Sequence, residues 1–459
     1  MNASSAPSLQ RVLGLWSAVA IVIGTVIGSG VFLVPSTMIA QVGSTKILFA
    51  VWIVAGLLSL FGALTYAELA AAMPEAGGEY VYLSAAYGPF WGFLYGWTQF
   101  WVAKSGSIAT LAAGFYTYLT AFIPALGAPI LVTPFHIGPH GTPLEIHYGQ
   151  LVAIGVILVL AAVNYAGVRA GGNVQVFVTA VKLILIGGII ALGLFSRAGD
   201  VSHFSQHVAS VGGVAGFFLA MVGALWAYDG WNNVSMVSSE ICRPDRNLPR
   251  ALIFGTAAVL VTYLLVNAAY FYVLSPAQAV QSQRIAADMM SHLYGRGAAG
   301  AVTVAVLISI FAALNGSILS GSRVPYAMAR DGLFFHATAT VHPRFKTPGR
   351  SIVSLCVWSC VVVLSGWYDD LYNFVIFGSW ILYLMTAVSV LVLRRRRPDL
   401  PRPYRVIGYP LVPVLFSAVA VLLLAYTLHD RPRESLMGLG LMALGIPFYF
   451  HWKRAAVSS

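Results

Sequence analysis

Long apolar stretches separated by short polar intervals organise the chain. Twelve recur, at roughly 13–40, 46–72, 89–122, 148–167, 174–196, 211–239, 250–273, 296–330, 351–366, 371–393, 409–427 and 435–452. A helix rises 1.5 Å per residue, so about 20 apolar residues cross a bilayer core of about 30 Å. The pattern predicts an all-α integral membrane protein with 12 transmembrane helices. No interval is long enough for a separate water-soluble domain, so residues 1–459 are read as a single polytopic domain. The longest interval, 124–147, is rich in Pro, Gly and His and reads as a loop. The first stretch is too long for the apolar part of a signal peptide, and no basic leader or cleavage site accompanies it.

Composition agrees. Hydrophobic residues make up 59% of the chain and charged residues 9%, against about a quarter charged in soluble proteins. A water-surrounded fold is excluded, and so is disorder, which needs low hydrophobicity. The net charge of +11 needs no nucleic acid to explain it, because its placement along the chain does so. With the amino terminus in the cytoplasm and each stretch crossing once, eighteen of the 26 lysines and arginines fall inside. Six fall outside (Lys46, Arg197, Arg284, Arg296, Arg431 and Arg433), and Lys104 and Lys182 lie within spans. That is the bias expected of a protein in the plasma or inner membrane with both termini cytoplasmic. The run Arg394–Arg397 directly follows a span and reads as a stop signal touching lipid headgroups. Cys242, Cys356 and Cys360 make neither a disulfide framework nor a zinc spacing, and read as packing residues.

Two spans are interrupted. The first holds Gly24, Gly28 and Gly30 in GTVIGSG, with Ser29 between the last two and Pro35 following. The sixth holds WAYDGWNN, residues 226–233, with Asp229 and Gly230 at mid-membrane. Glycine eases departure from helical geometry, and a carboxylate at membrane depth needs a partner or water. Backbone freed there is tolerated only where it is buried in protein or lines a cavity. Spans one and six correspond if 1–5 and 6–10 are inverted repeats, and paired interruptions at matching positions point to a transporter binding site. Amides freed at the start of a half-helix suit a carboxylate. Carbonyls freed at the end of one suit an ammonium group. The pattern therefore predicts a clamp for the main chain of a zwitterionic amino acid. GxxxG spacing also serves close helix packing, which is how Gly92 and Gly96 are read.

Several ordered motifs give this chain a family likeness: GTVIGSGVF (24–32), PEAGGEYVYL (74–83), VQVFVTAVKL (174–183), WAYDGWN (226–232), ICRPDRNLPRAL (241–252), NGSILSGSR (315–323) and RRPDLPRPYRV (396–406). Over roughly 12–427 it resembles the amino acid–polyamine–organocation superfamily, in its L-type amino-acid transporter branch. The resemblance implies a LeuT-like 5+5 inverted repeat, the first repeat running from 12–40 to 196 and the second over 211–393, with two additional helices at 409–452. It also implies alternating access and sodium-independent transport, commonly by exchange. Ile27, Gly28, Ser29 and Gly30 correspond to the family's carboxylate-binding stretch. Trp226, Ala227 and Tyr228 correspond to the stretch whose carbonyls meet the α-amino group, Trp226 at the position of a closing aromatic. Asn232 holds a position of polar contact near the substrate.

Lys182 is a cation within an apolar span, a rare and usually functional placement. It matches the family lysine that occupies the place of a sodium ion in sodium-coupled relatives. There it would bridge the first span to the eighth, with Ser317 and Ser320 as candidate partners. It serves either as a fixed structural strut or, if it loses its proton, as a site of proton coupling. Lys104 matches a basic family position in span three, although Ser105 follows it where some relatives have proline, and it reads as structural. Asp229 stands where many relatives have glycine. Contact with the substrate amine, pairing with a nearby cation and exposure to the cavity are all open to it.

No P-loop, GxSxG or HExxH occurs, so the chain is read as no enzyme and no ATP-driven pump, without cofactor or metal. His136/His140 and His203/His207 have helical spacing, but fall in outer loops and read as solvated. Glu240, Arg243, Arg323 and Arg330 read as an inner-face polar network. The expectation is a sodium-independent exchanger of neutral amino acids. Proton-coupled symport through Lys182, or a non-transporting amino-acid sensor, are the alternatives. A small amino acid and the lipid bilayer are the expected partners. No outer loop carries a cysteine, so no disulfide-linked accessory subunit is expected.

Overall fold

The structure is a computed structural model that describes residues 8–136, 143–366 and 368–458. Each predicted apolar stretch is helical. In order, these are α1 (Leu15–Val26) and α2 (Gly30–Val42), then α3 (Thr45–Ala72). The short helix α4 (Glu79–Tyr87) precedes α5 (Pro89–Thr98), a π-helical turn (Gln99–Ala103) and α6 (Lys104–Leu119). Next come α7 (Tyr148–Tyr165), α8 (Val168–Leu194), α9 (Gly213–Tyr228) and the single turn α10 (Asn233–Met236). Helix α11 (Pro244–Val273) is followed by α12 (Pro276–Gln281), α13 (Ile285–Tyr294), α14 (Arg296–Gly321) and α15 (Arg323–Arg330). The last are α16 (Gly349–Ser365), α17 (Tyr368–Arg396), α18 (Leu411–Asp430), α19 (Pro432–Ala443) and α20 (Gly445–Ser458). Among the described residues nine helices are long and apolar enough to cross a membrane, and the bent pair α1–α2 makes a tenth. The π-helical turn divides the third predicted span, and α16 is a shorter apolar helix.

The fold departs from the expected loop at 124–147. Pro129–His136 and Pro143–His147 pair there as an antiparallel hairpin, with Ile130, Leu131, Val132 and Thr133 supplying strand-favouring residues.

Burial runs opposite to that of a soluble protein. On α8, Phe177 is 70% and Ile184 73% exposed, while Gln175 and Lys182 are fully buried. Apolar side chains outside and polar ones inside identify a helix solvated by lipid. Packing is reciprocal: α1 lies on α11 as α9 lies on α3, and α6 contacts both α14 and α16. An aromatic group at the centre, with Trp52 edge-on to Tyr228 and Tyr263 at 5.7 and 5.3 Å, ties α3, α9 and α11 together.

Candidate functional site

The first interruption is shorter than the glycine spacing suggests. Helix α1 persists through Gly24 to Val26, residues 27–29 are non-helical, and α2 departs at 42°. The amides of Ser29, Gly30 and Val31 make no backbone hydrogen bond, leaving the start of α2 with the free donors of a helix N-terminus. The second interruption covers 229–232, between α9 and α10. Gly230 adopts φ +106°, a conformation natural only to glycine.

The two interruptions meet. Thr25 Oγ1 stands 3.0 Å from the Gly230 carbonyl and 2.7 Å from that of Ile21 in its own helix, sharing one proton between the two breaks' elements. Gly30 lies so close to Ala227 that a Cβ added to it would stand 2.9 Å from the Ala227 Cβ. The Tyr263 hydroxyl on α11 sits 3.1 Å from the Val26 carbonyl and 2.7 Å from that of Ala227, sharing one proton between the ends of α1 and α9. Around this junction is a cavity. Gly28, Ser29 and Gly30 line it from the first break, and Trp226, Ala227, Asp229, Gly230 and Asn233 from the second. Lys104, Ser107 and Thr110 of α6 and Ser317 of α14 complete its polar wall. It contains an amide-bearing helix start, the buried cation Lys104 and the carboxylate of Asp229, which is exposed to it. A second cavity, walled by Phe377, Trp380 and Tyr383, shares Lys104, Ser107, Trp226 and Asp229 with it. Asp229 faces both, and its Oδ1 accepts the Tyr383 hydroxyl at 2.9 Å.

Other predicted residues stand behind the cavity wall. Ile27 presents its carbonyl away from the cavity, to Lys182 at 2.5 Å and Ser309 at 2.8 Å. Lys182 Nζ also donates to the Gly24 carbonyl at 2.9 Å, capping the carbonyl end of α1. Neither expected serine partners it. Ser320 bonds the Gly316 carbonyl of its own helix, and Ser317 lines the cavity. The residue of span eight that joins Lys182 at the break is Ser309. Tyr228 is buried against α3, donating to the Trp52 carbonyl at 3.2 Å. Asn232 does not line the cavity, because its amide turns to Glu79, whereas Asn233 does line it. Lys104 donates to Asn233 Oδ1 at 2.5 Å. Thr25, Ser309, Tyr263, Tyr383 and Glu79 were not singled out by sequence reasoning. Ser309, Tyr263 and Tyr383 show only as polar groups within apolar stretches, whereas Thr25 and Glu79 lie in the motifs GTVIGSGVF and PEAGGEYVYL without being distinguished there.

Beyond the site, charged groups pack together at the end of span six. Arg323 and Glu240, both fully buried, form a two-pronged ion pair at 2.8 and 2.9 Å. The Glu240 carbonyl accepts the Val12 and Leu13 amides, strapping the amino-terminal segment across the end of span six. The expected network is thus smaller than four residues. Arg330 lies over the Tyr326 ring instead, and Arg243 caps α11 in a left-handed conformation. Gly92 and Gly96 pack closely, against the Tyr80 carbonyl and Met328. Among the described residues no cluster of His, Cys, Asp and Glu could hold a metal. His203 pairs with Asp200 at 4.0 Å, and His140 lies outside the described residues. The three cysteines are free.

A lipid-solvated helical bundle with a polar cavity between two broken helices defines a membrane transport protein rather than an enzyme. A family model described as Amino acid permease matches residues 13–437, and the chain belongs to that family. The chain is 33% identical over 451 residues to the b(0,+)-type amino acid transporter 1 of Mus musculus, covering 96% of this chain and 88% of that one. It is 33% identical over 453 residues to the serine/threonine exchanger SteT of Bacillus subtilis (strain 168), covering 98% of each. It is 32% identical over 452 residues to the large neutral amino acids transporter small subunit 2 of Homo sapiens, covering 96% and 80%.

Proposed function

We propose that this protein exchanges neutral L-amino acids across the membrane without sodium, by alternating access, with the substrate main chain held between the breaks of spans one and six. The observation that carries the reading is the junction itself. Ser29 and Gly30, whose amides make no backbone hydrogen bond, line the same cavity as Trp226, Ala227 and Asp229, at a distance set by the Gly30–Ala227 contact. A carboxylate suits the first group, and an ammonium suits the carbonyls and the acid of the second. Asp229 and Lys104 supply one charge of each sign to the cavity, which suits a substrate without net charge. Lys182, fully buried and spent on two carbonyls, takes the part of a bound cation, so the cycle needs no ion gradient. The names of the relatives, a serine/threonine exchanger among them, favour amino-acid exchange.

The reading extends to architecture. We read twelve crossings with both termini cytoplasmic, a 5+5 inverted repeat over 12–196 and 211–393, and two further helices at 409–452; the packing of α1 on α11 and of α9 on α3 supports the repeat. Proteoliposomes test the function. Labelled serine, threonine, leucine, arginine or glutamate is offered outside, with or without unlabelled amino acid inside and with no sodium. Uptake that requires internal neutral amino acid is the expected result. Accumulation in empty vesicles driven by a pH gradient would replace exchange with proton symport, and binding without any uptake would make the protein a sensor.

A further inference from the structure

The stretch 229–233, which is the second break and the first residue of α10, is gripped from four directions. Tyr383 of α17 holds the Asp229 carboxylate, and Thr25 of α1 holds the Gly230 carbonyl. The other two grips fall on consecutive asparagines and come from buried groups of opposite charge. Glu79, at the start of α4 and fully buried, accepts from Asn232 Nδ2 and from the Tyr95 hydroxyl at 2.8 Å. Lys104, at the start of α6, donates to Asn233 Oδ1. An amide can donate from one end and accept at the other, so neighbouring asparagines can answer an anion and a cation in turn. Glu79 reaches neither cavity and sits within 4 Å of no cation among the described residues. A buried carboxylate in such a place needs all its hydrogen bonds satisfied.

We infer that Glu79 is a positioning residue for the substrate site, fixing through Asn232 the turn that presents Asp229 and Asn233 to the cavity. The Asn232–Glu79 bond joins the broken sixth span to the segment leading into the third. It sets the direction in which residues 229–233 leave α9, since a shift there moves Asp229 on one side and Asn233 on the other. The negative charge of Glu79 specifies that residue 232 must donate, as the positive charge of Lys104 specifies that residue 233 must accept. The inference rests on the exchange reading above and adds to it a residue outside the cavity that governs affinity.

A charge-reversal cycle tests it, read as KM and maximal rate of threonine exchange in proteoliposomes, with leucine as second probe. Asn232→Asp sets two carboxylates face to face and is expected to raise KM about ten-fold or more. Asn232→Asp combined with Glu79→Gln restores one donor and one acceptor with direction reversed, and is expected to bring KM back to within about three-fold of the unmodified protein. Thermal melting of each purified variant checks folding. Asn233→Asp, which places an acid against Lys104, is expected to melt no lower than the unmodified protein. If folded Asn232→Asp exchanges with unchanged KM, or if folded double variant is no better than the single one, the inference is overturned. If the unmodified protein exchanges neither probe but takes up other solutes, the exchange reading falls instead.

Discussion

The ammonium of Lys182 lies 2.5 Å from the carbonyl of Ile27, and the same carbonyl accepts the hydroxyl of Ser309 at 2.8 Å. Spans five and eight are thereby joined at the break of span one. Lys182 also reaches Gly24, so the last turn of α1 closes on a charge from another helix rather than on its own continuation. Removing it leaves the buried Gly24 carbonyl without its donor and the Ile27 carbonyl with the Ser309 hydroxyl alone. Charge-assisted bonds contribute about 1.5–3 kcal/mol each.

Lys182→Ala is therefore expected to lower exchange by about a hundred-fold or more, a loss of about 3 kcal/mol. Ser309→Ala, which removes one neutral hydroxyl bond of about 1 kcal/mol, is expected to lower it about five-fold. Ser320→Ala removes a bond made within its own helix and is expected to leave exchange within about two-fold. Counterflow in proteoliposomes with matched protein amounts measures all three. Exchange by Lys182→Ala at the unmodified rate would refute the strut.

Lys182 was legible in the sequence because an ammonium on an apolar helix has few innocent explanations. Its partners were not. Ser309, Ser317 and Ser320 all stand on one helix, and a helical hydroxyl that bonds its own carbonyl, as Ser320 does, leaves the same trace in the sequence as one that bonds another span. The breaks were legible from glycine and from Asp229. Their limits were not, because a helix continues through glycine as long as each amide finds its carbonyl, as at Gly24. Asn232 and Asn233 differ by one residue, a rotation of about 100° on a helix. Which of them faces the cavity depends on the left-handed turn at Gly230 and on Glu79, a contact 153 residues away in sequence. Tyr263 did not stand out as a polar group in its span, because tyrosine is common in spans and its hydroxyl acts at two ends it does not adjoin.

The ion pair at the end of span six makes its own prediction. Arg323 is wholly buried, and with Glu240 gone it would remain as an unpaired charge, costing about 3–5 kcal/mol. The strap at Val12 and Leu13 rests on the same residue's carbonyl, and Cys242 lies under it, its amide donating to the Leu13 carbonyl at 2.8 Å and its thiol 3.2 Å from that of Arg11. Glu240→Ala is expected to melt at lower temperature than the unmodified protein. In detergent it should also label faster with a polar maleimide at Cys242, while buried Cys356 stays unlabelled. Equal melting and equal labelling would mean that the ion pair does not hold the strap.

Gly28 and Gly30 separate close packing from substrate space. A Cβ on Gly30 would stand 2.9 Å from the Ala227 Cβ and 3.0 Å from its Cα, and backbone cannot yield as a flexible side chain can. Gly30→Ala should push the two breaks apart and cut both exchange and substrate-induced thermal stabilisation. A Cβ on Gly28 meets only Leu111 and Ala313, at 3.7 and 3.8 Å, which is ordinary contact. Gly28→Ala is expected to fold and to retain exchange within about five-fold, since overpacking is slight. Gly28→Leu keeps that backbone but carries its side chain into the cavity that Gly28 lines, so it should melt near the unmodified protein and show no stabilisation by threonine or leucine. Equal losses in Gly28→Ala and Gly30→Ala would mean that both glycines serve only helix packing. Unchanged ligand stabilisation of Gly28→Leu would move the substrate away from the first break.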